Sequence, residues 1–184
     1  MKAPAAFAAA TLTALLSAVG LAGCAGLGGP PLQPGISTRL DLDRHFGPPA
    51  ARWREAEGGE RLAYPTGPMG FNTWMARTDA AGRLISIENV LDMQHFAQIQ
   101  AGMSQDEVLR ALGPPYPGWT IYYKARDELV WEWRYCDVWA EPARFDVLFD
   151  GTSGKVRTTM SLTERQSMPW GRGNRRDWCS RCSA

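Results

Sequence analysis

The chain has 184 residues, of which 45% are hydrophobic and 21% charged, a composition typical of a globular protein and not of a disordered or collagen-like chain. Its formal net charge of +1 gives no general attraction for phosphates, which argues against nucleic-acid binding. With two His and four Cys, a metal site or a histidine-based catalytic centre would need nearly every candidate side chain. We therefore expect no enzyme activity, no cofactor and no small-molecule substrate.

The first segment has the layout of an export signal. Lys2 precedes an uncharged stretch, residues 3–23, that ends in small residues, as a secretory signal peptide does. A transmembrane helix is the alternative, because about 20 apolar residues can span a bilayer. The stretch is rich in Ala, Thr, Ser and Gly and no basic cluster follows it, which favours a signal peptide over residues 1–23.

The tetrapeptide Leu-Ala-Gly-Cys that ends at Cys24 resembles the lipobox of bacterial lipoproteins. That resemblance implies diacylglycerol on the Cys24 thiol and a mature chain that begins there, anchored durably by several acyl chains. Ala25 follows, and the absence of Asp at this position implies the outer membrane, at its periplasmic face. Residues 24–35, rich in Gly and Pro, are expected to form a tether between the lipid and the folded part of the chain.

A repeated motif divides most of the remaining chain into two similar units. The pattern Gly-Pro-Pro-x-x-x-Trp occurs at residues 47–53 and, 66 residues later, at residues 113–119. A short helical pattern precedes each copy and alternating strand patterns follow it. We therefore predict an α+β fold of two tandem units, residues 36–91 and 92–164, each with one or two helices packed on a three- to four-stranded antiparallel sheet.

The second unit has the clearer signals. Ser104 and Glu107 form a capping box at the start of a helix that Gly113 and Pro114 end, and a preceding helix is predicted over residues 92–100. Strands are predicted where apolar residues alternate, over residues 119–123, 129–135, 145–149 and 156–160. In the first unit, a weaker helix is predicted around residues 38–46, with strands at residues 62–64, 71–77 and 84–90.

Several residues of the second unit form a set: Ile99, Gly102, Met103, Ser104, Val108, Leu112, Gly113, Pro114, the Trp131-Glu132-Trp133 strand and the 145–156 hairpin. With this set, residues 92–162 resemble the BamE (SmpA/OmlA) family of outer-membrane lipoproteins, and residues 36–91 form a fainter copy. The resemblance implies helices on an antiparallel sheet. It also implies a non-enzymatic binding or scaffold module in outer-membrane protein assembly or envelope integrity, with an envelope protein as partner.

Two units in one chain depart from the founding members of that family, which have one. A tandem of the same unit also occurs in the secreted beta-lactamase inhibitor proteins. The alternative function is therefore an inhibitor-like module that binds a periplasmic or extracytoplasmic enzyme through its sheet surface, because a shared fold leaves the partner open.

The Arg- and Trp-rich tail, residues 165–184, contains the pair Cys179 and Cys182. Their C-x-x-C spacing is compatible with thiol–disulfide exchange, but no strand-to-helix pattern precedes it, so a structural disulfide is favoured. Cys136 could pair with either tail cysteine, and the sequence does not decide between them. The basic tail itself suits either an anionic partner or a solubilising end.

Candidate partner contacts lie at strand positions or hairpin loops that are expected to be exposed: Trp74, Glu132, Arg134 and Trp139. Three other Trp residues fall on alternating strand positions and are expected in the core: Trp119, Trp131 and Trp133.

Overall fold

Two copies of a helix followed by a four-stranded antiparallel sheet make up most of the computed structural model, which describes residues 31–167 and residue 182. In the first copy the strands lie in the order β1-β2-β3-β4. Its elements are α1 (Arg39–Phe46), β1 (Ala51–Arg54), β2 (Glu60–Pro65), β3 (Thr73–Thr78) and β4 (Leu84–Asn89).

The second copy has the same order of elements, with its strands in the order β5-β6-β7-β8. Short helices lie between the copies and after the second sheet. These elements are α2 (Met93–Phe96), α3 (Gln105–Leu112), β5 (Ile121–Tyr123), β6 (Glu128–Cys136), β7 (Pro142–Asp150), β8 (Val156–Thr163) and α4 (Glu164–Ser167), with 3₁₀ turns at Pro117–Trp119 and Lys124–Arg126. The predicted α+β fold of two tandem units is confirmed.

Matching capping boxes begin the main helix of each copy. Glu107 Oε2 accepts a hydrogen bond from the Ser104 backbone N–H at 2.7 Å, and Ser104 Oγ accepts one from the Glu107 N–H at 3.3 Å. In α1, Asp41 Oδ2 accepts from the Thr38 N–H at 2.8 Å. Because these contacts satisfy N–H groups that a helix start leaves unpaired, each fixes where its helix begins.

The register of the two sheets shows the repeat in more detail. Each sheet has a register shift in its last hairpin, between Arg77 and Thr78 in the first copy and between Leu148 and Phe149 in the second. Counted back from these shifts, the cross-strand pair Ala63–Met75 of the first sheet corresponds to the pair Glu132–Asp146 of the second. The same positions therefore carry apolar residues in one sheet and carboxylates in the other.

The first sheet is buried on both faces. One face packs on α1 through Leu42, Leu62, Tyr64, Ala76 and Leu84. Ala63 and Met75, on the other face, belong to the cluster that contains Val108 and Leu112 of α3 and the inward side chains of the second sheet: Trp131, Trp133, Tyr135, Phe145, Val147 and Phe149. The layers are therefore α1, the first sheet, the α2–α3 layer and the second sheet.

Polar contacts also join the two copies at this junction. Arg61 Nη1 donates to the carbonyl of Arg110 in α3 at 3.0 Å, and the Arg110 guanidinium lies 5.9 Å from the centre of the Trp53 ring. Trp133 Nε1 donates to the Gly113 carbonyl at 3.2 Å, which satisfies a group at the end of α3 inside the core. The end of α3 is thus bound to both sheets.

Two predicted elements differ from those found, and one strand was missed. Trp119 belongs to a 3₁₀ turn, and β5 has only three residues, because Pro117 at the start of that turn favours a helical bend over a strand. The helix predicted over residues 92–100 is only Met93–Phe96, followed by the tight-turn bond from Ile99 N to the Phe96 carbonyl. The short strand β1 was not predicted. Across residues 31–167, no helix is long and apolar enough to cross a membrane.

Candidate binding surface

The second sheet has one face that points away from α2 and α3, and we call it the outer face. Cross-strand pairing and the alternation of side chains along the strands define it. It carries Ile121, Val130, Glu132, Arg134, Arg144, Asp146, Leu148, Met160 and Leu162.

An ion network occupies the end of this face nearest α4. Arg134 forms two bonds to the Glu164 carboxylate, Nε to Oε1 at 2.6 Å and Nη2 to Oε2 at 2.9 Å. Arg144 Nε donates to the same carboxylate at 2.9 Å, and its Nη1 donates to Glu132. The two guanidinium groups hold the pKa of Glu164 below its usual value despite partial burial, which opposes that shift.

Aromatic rings cover the two arginines of the network. The Arg134 guanidinium lies 4.3 Å from the centre of the Phe71 ring, and that of Arg144 lies 4.2 Å from the centre of the Trp119 ring. Arg134 Nη1 also donates to the Met69 carbonyl at 3.2 Å, so the β2–β3 loop of the first copy contacts the network. These contacts fix the charges in position and leave little of them free for solvent.

Asp146 is the weakly satisfied member of the outer face. Its Oδ1 is buried and has no hydrogen-bond partner within residues 31–167, and Glu132 lies directly opposite on β6. Burial, and then the neighbouring charge of Glu132, raise the pKa of Asp146 to about 6. At neutral pH the outer face therefore carries a carboxylate with one buried oxygen that receives no hydrogen bond from the described residues, which destabilises the charged form.

Replacement of Asp146 by Asn should remove a pH dependence of stability. Because the pKa of Asp146 is raised to about 6 in the folded chain from 3.8, folding binds a proton, and stability falls as pH rises from about 4 through about 6. We expect Asp146→Asn to be more stable than wild type by about 1 kcal/mol at pH 8, after allowance for solvent screening of a half-buried group, and to lose that advantage near pH 4. Urea unfolding at both pH values measures this difference.

Asp150→Asn is the matched control, because its shift has the opposite sign. The Ser153 N–H and the Arg157 guanidinium lower the pKa of Asp150 to about 2. Its contribution to stability is therefore present above pH 4 and lost as pH falls towards 2. Asp150→Asn should destabilise the protein at pH 8. Equal effects of the two variants would contradict the burial argument for Asp146.

A narrow cleft lies where the β2–β3 loop meets the outer face. Pro65, Asn72, Trp119, Glu132 and Arg134 are among its lining residues, and its volume is about 20 Å³. A space of this size accommodates a water molecule and not an organic ligand. Within residues 31–167, moreover, no three His, Cys, Asp or Glu side chains come together as metal ligands do.

The four predicted contact residues are placed in three different settings. Trp139 is 81% exposed, at the loop between β6 and β7. Trp74 is half-buried beside the α1 core, with its ring 6.3 Å from that of Phe46. Glu132 and Arg134 share the outer face, but the expectation that they are open is wrong for Arg134, whose side chain is only 10% exposed inside the ion network. The expected core position is confirmed for Trp131 and Trp133 and is wrong for Trp119, which is half-buried with its ring against Arg144 of the outer face.

Sequence reasoning missed the residues that complete the outer face: Arg144, Asp146, Met160, Leu162 and Glu164. A signal for Arg144 and Asp146 existed. Since Phe145, Val147 and Phe149 carry the apolar alternation of the predicted strand, their neighbours Arg144 and Asp146 had to lie on the opposite face. Nothing local marks Glu164 as the partner of Arg134, which lies 30 residues away in sequence.

Of the possible disulfides, the structure has Cys136 joined to Cys182, with Cα atoms 5.7 Å apart. Cys136 ends β6 on the same face as Arg134, so the bond attaches the C-terminal tail at the outer face. Several predicted features lie outside the described residues. These are the signal segment, the lipidation site Cys24 with the N-terminal part of the tether, and most of the tail, including Cys179.

Comparison with known proteins adds little to this geometry. No protein-family model and no curated protein sequence matches the chain. One solved structure, an extracellular protein containing an SCP domain from Bacillus anthracis, is similar over 70% of this chain with 12% sequence identity and a TM-score of 0.26. The chain spans 43% of that protein's length, and a TM-score this low carries no argument about fold or function.

Proposed function

We propose that the chain is a non-enzymatic, lipid-anchored binding module of the bacterial outer membrane, attached through Cys24, whose outer face binds an envelope protein. The attachment rests on the lipobox at Cys24. The binding role, in outer-membrane protein assembly or envelope integrity, rests on the resemblance of the tandem to the BamE family and on the outer face of the second sheet.

The observation that carries the proposal is that equivalent faces of the two sheets have different surroundings. In the first sheet this face is covered by α3, where Ala63 and Met75 receive the end of the helix. In the second sheet the equivalent positions, Glu132 and Asp146, meet no helix equivalent to α3 within residues 31–167. A face that holds a helix in one copy thus holds none in the other, and we propose that its exposed apolar part beside the ion network binds the partner.

Exposed apolar side chains border the charges of the outer face. Ile121 is 47% exposed, Met160 45% and Leu162 38%. Exposed apolar area bordered by charged side chains suits a protein partner that brings both apolar and polar contacts. Such a partner would be recognised by shape and local charge, which agrees with the nearly neutral chain.

Copurification from detergent-solubilised envelopes tests the binding role. We expect a protein partner with the wild-type chain and its loss with Met160→Lys and Leu162→Lys combined, because two charges would replace exposed apolar area on the outer face. The matched control is Leu40→Lys with Ile85→Lys, since Leu40 and Ile85 are 55% and 49% exposed on α1 and β4 of the first copy. Retention of the partner by the first variant would contradict this surface.

The identity of the partner distinguishes the two functions that the resemblance implies. Subunits of an outer-membrane assembly complex would support the scaffold role, whereas a soluble periplasmic hydrolase would support an inhibitor-like role. Intact-mass analysis tests the anchor separately. The proposal requires lipid on Cys24 and loss of residues 1–23, and membrane release of Cys24→Ser.

A further inference from the structure

The loop between β6 and β7 presents two apolar side chains to solvent. Val138 is 79% exposed and Trp139 is 81% exposed. Tryptophan is highly buried on average, and its large ring gains more from removal from water than most side chains do. We call these two residues the hairpin tip.

The hairpin tip is held in a fixed turn. Asp137 Oδ1 accepts hydrogen bonds from the backbone N–H groups of Trp139 and Glu141, both at 2.8 Å. The Asp137 N–H donates to the Glu141 carbonyl, and the Ala140 N–H donates to the Asp137 carbonyl, each at 3.0 Å. Ala140 has a φ of +55°, a conformation that residues with a side chain adopt only where the surroundings impose it. The tip is therefore in place before any partner arrives, which lowers the entropic cost of contact.

The charges around the tip are already paired. Asp137 is engaged by the turn itself, and Glu141 Oε2 lies 3.4 Å from Arg165 Nη2. The Arg165 side chain remains 81% exposed beside the tip. The side chains of Trp139, Val138 and Arg165 are thus exposed close together, and both acidic residues of the turn, Asp137 and Glu141, already have partners.

We propose that Val138 and Trp139 insert into the interface of a lipid bilayer. Indole rings favour the headgroup level of membranes, where the ring is buried and its N–H stays near water. A stable protein–protein contact buries about 800 Å² of surface per partner. The hairpin tip has only two exposed apolar side chains, which is too small an anchor for such a contact. Lipid molecules, by contrast, can pack around a small protrusion. The inference rests on the proposed attachment through Cys24, because two side chains alone bury too little surface for durable membrane binding.

Fluorescence quenching by spin-labelled lipid tests the insertion. The full chain, purified from membranes, is reconstituted into phosphatidylcholine vesicles that carry the label either high on the acyl chain or near the bilayer centre. We expect the label near the headgroups to quench the wild-type chain more strongly. Most of that quenching should be lost in Trp139→Phe, although the variant removes one of eight Trp.

Two further variants fix the interpretation. Trp74→Phe removes a half-buried indole of the α1 core and should leave the lipid-dependent quenching unchanged. Val138→Asp keeps Trp139 but adds a charge to the tip, so it should reduce quenching without altering the folded state, because Val138 contacts solvent. Equal quenching of wild type and Trp139→Phe, or an equal loss in Trp74→Phe, would overturn the insertion. If Cys24 is acylated but Trp139 is not quenched, the proposed insertion is wrong and the attachment stands. If Cys24 carries no lipid, the proposed attachment is wrong.

Discussion

Gly113→Ala is expected to destabilise the protein by about 2 to 5 kcal/mol, the sum of backbone strain and overpacking. Gly113 follows α3 with a φ of +72°, a conformation that L side chains rarely adopt. An added Cβ would also lie 2.7 Å from Thr73 Cγ2 and 3.2 Å from the Ala63 Cβ. The first sheet therefore cannot receive the end of α3 without moving, and thermal unfolding should show a large decrease in Tm.

Gly47→Ala separates the two causes. Gly47 occupies the same place after α1, with a φ of +80°, but a Cβ there would meet nothing within 4 Å. Only the backbone strain remains, so we expect a loss of about 1 to 3 kcal/mol, smaller than that of Gly113→Ala. If the two variants were equally destabilised, α3 would not pack on the first sheet as closely as the structure has it.

The features that could be predicted from the sequence are those that depend on neighbouring residues. The capping box of Ser104 and Glu107 and the glycine after α3 act within one turn of helix, so their spacing is visible in the chain. The alternation in β6 and β7 is visible for the same reason, because successive side chains point to opposite faces. These signals were sufficient for the fold class.

The double burial of the first sheet could not be predicted in this way. Ala63 and Thr73 are small residues whose role is to admit Gly113, and a small residue in a strand does not indicate what packs on it. The strand predicted from Trp119 is wrong because its alternation with Ile121 and Tyr123 fits a strand, whereas the preceding Pro117 and Gly118 form a 3₁₀ turn. Proline placed in the first turn of a helix was the stronger signal.

The candidate site was found only in part, because its contacts join distant segments. Glu132 and Arg134 were chosen from their strand positions, but their partners, Arg144 and Glu164, lie on other elements. Charged side chains at outward positions of a strand look alike in sequence whether they are paired or free. The exposure of Trp139 was predictable because a loop between two strands has no sheet neighbour to cover it.

The two ends of the described stack have polar residues at positions that are apolar inside it. Leu109 and Ala111 of α3 pack against the central core. The repeat offset of 66 residues puts Asp43 and His45 at the equivalent positions of α1. At the other end, Glu132 and Asp146 replace the apolar pair that receives α3. The apolar end of a helix such as α3 would bury these charges without polar contacts, so the described stack has polar residues at both ends, as terminal repeats of stacked proteins do.

Removal of the disulfide between Cys136 and Cys182 is expected to lower stability by an amount comparable to that of Gly113→Ala. The bond closes a loop with a sequence separation of 46 residues. In the chain-entropy account, a loop of that size restricts the unfolded chain by about 4 kcal/mol. Cys136→Ser should therefore lower the free energy of unfolding by about 2 to 4 kcal/mol, and reduction of the wild-type protein should lower it equally. Urea unfolding with and without reductant measures both.

Cys136→Ser is a better probe than Cys182→Ser, because loss of Cys182 would leave Cys136 free to pair with Cys179. The matched control is Cys179→Ser, which should retain full stability and the wild-type response to reductant, since Cys179 is not part of the bond. Peptide mapping without reductant should link the peptide of Cys136 to that of Cys182 in the control. A Cys179→Ser chain that lost stability while Cys182→Ser kept it would reverse the pairing and move the attachment point of the tail by three residues.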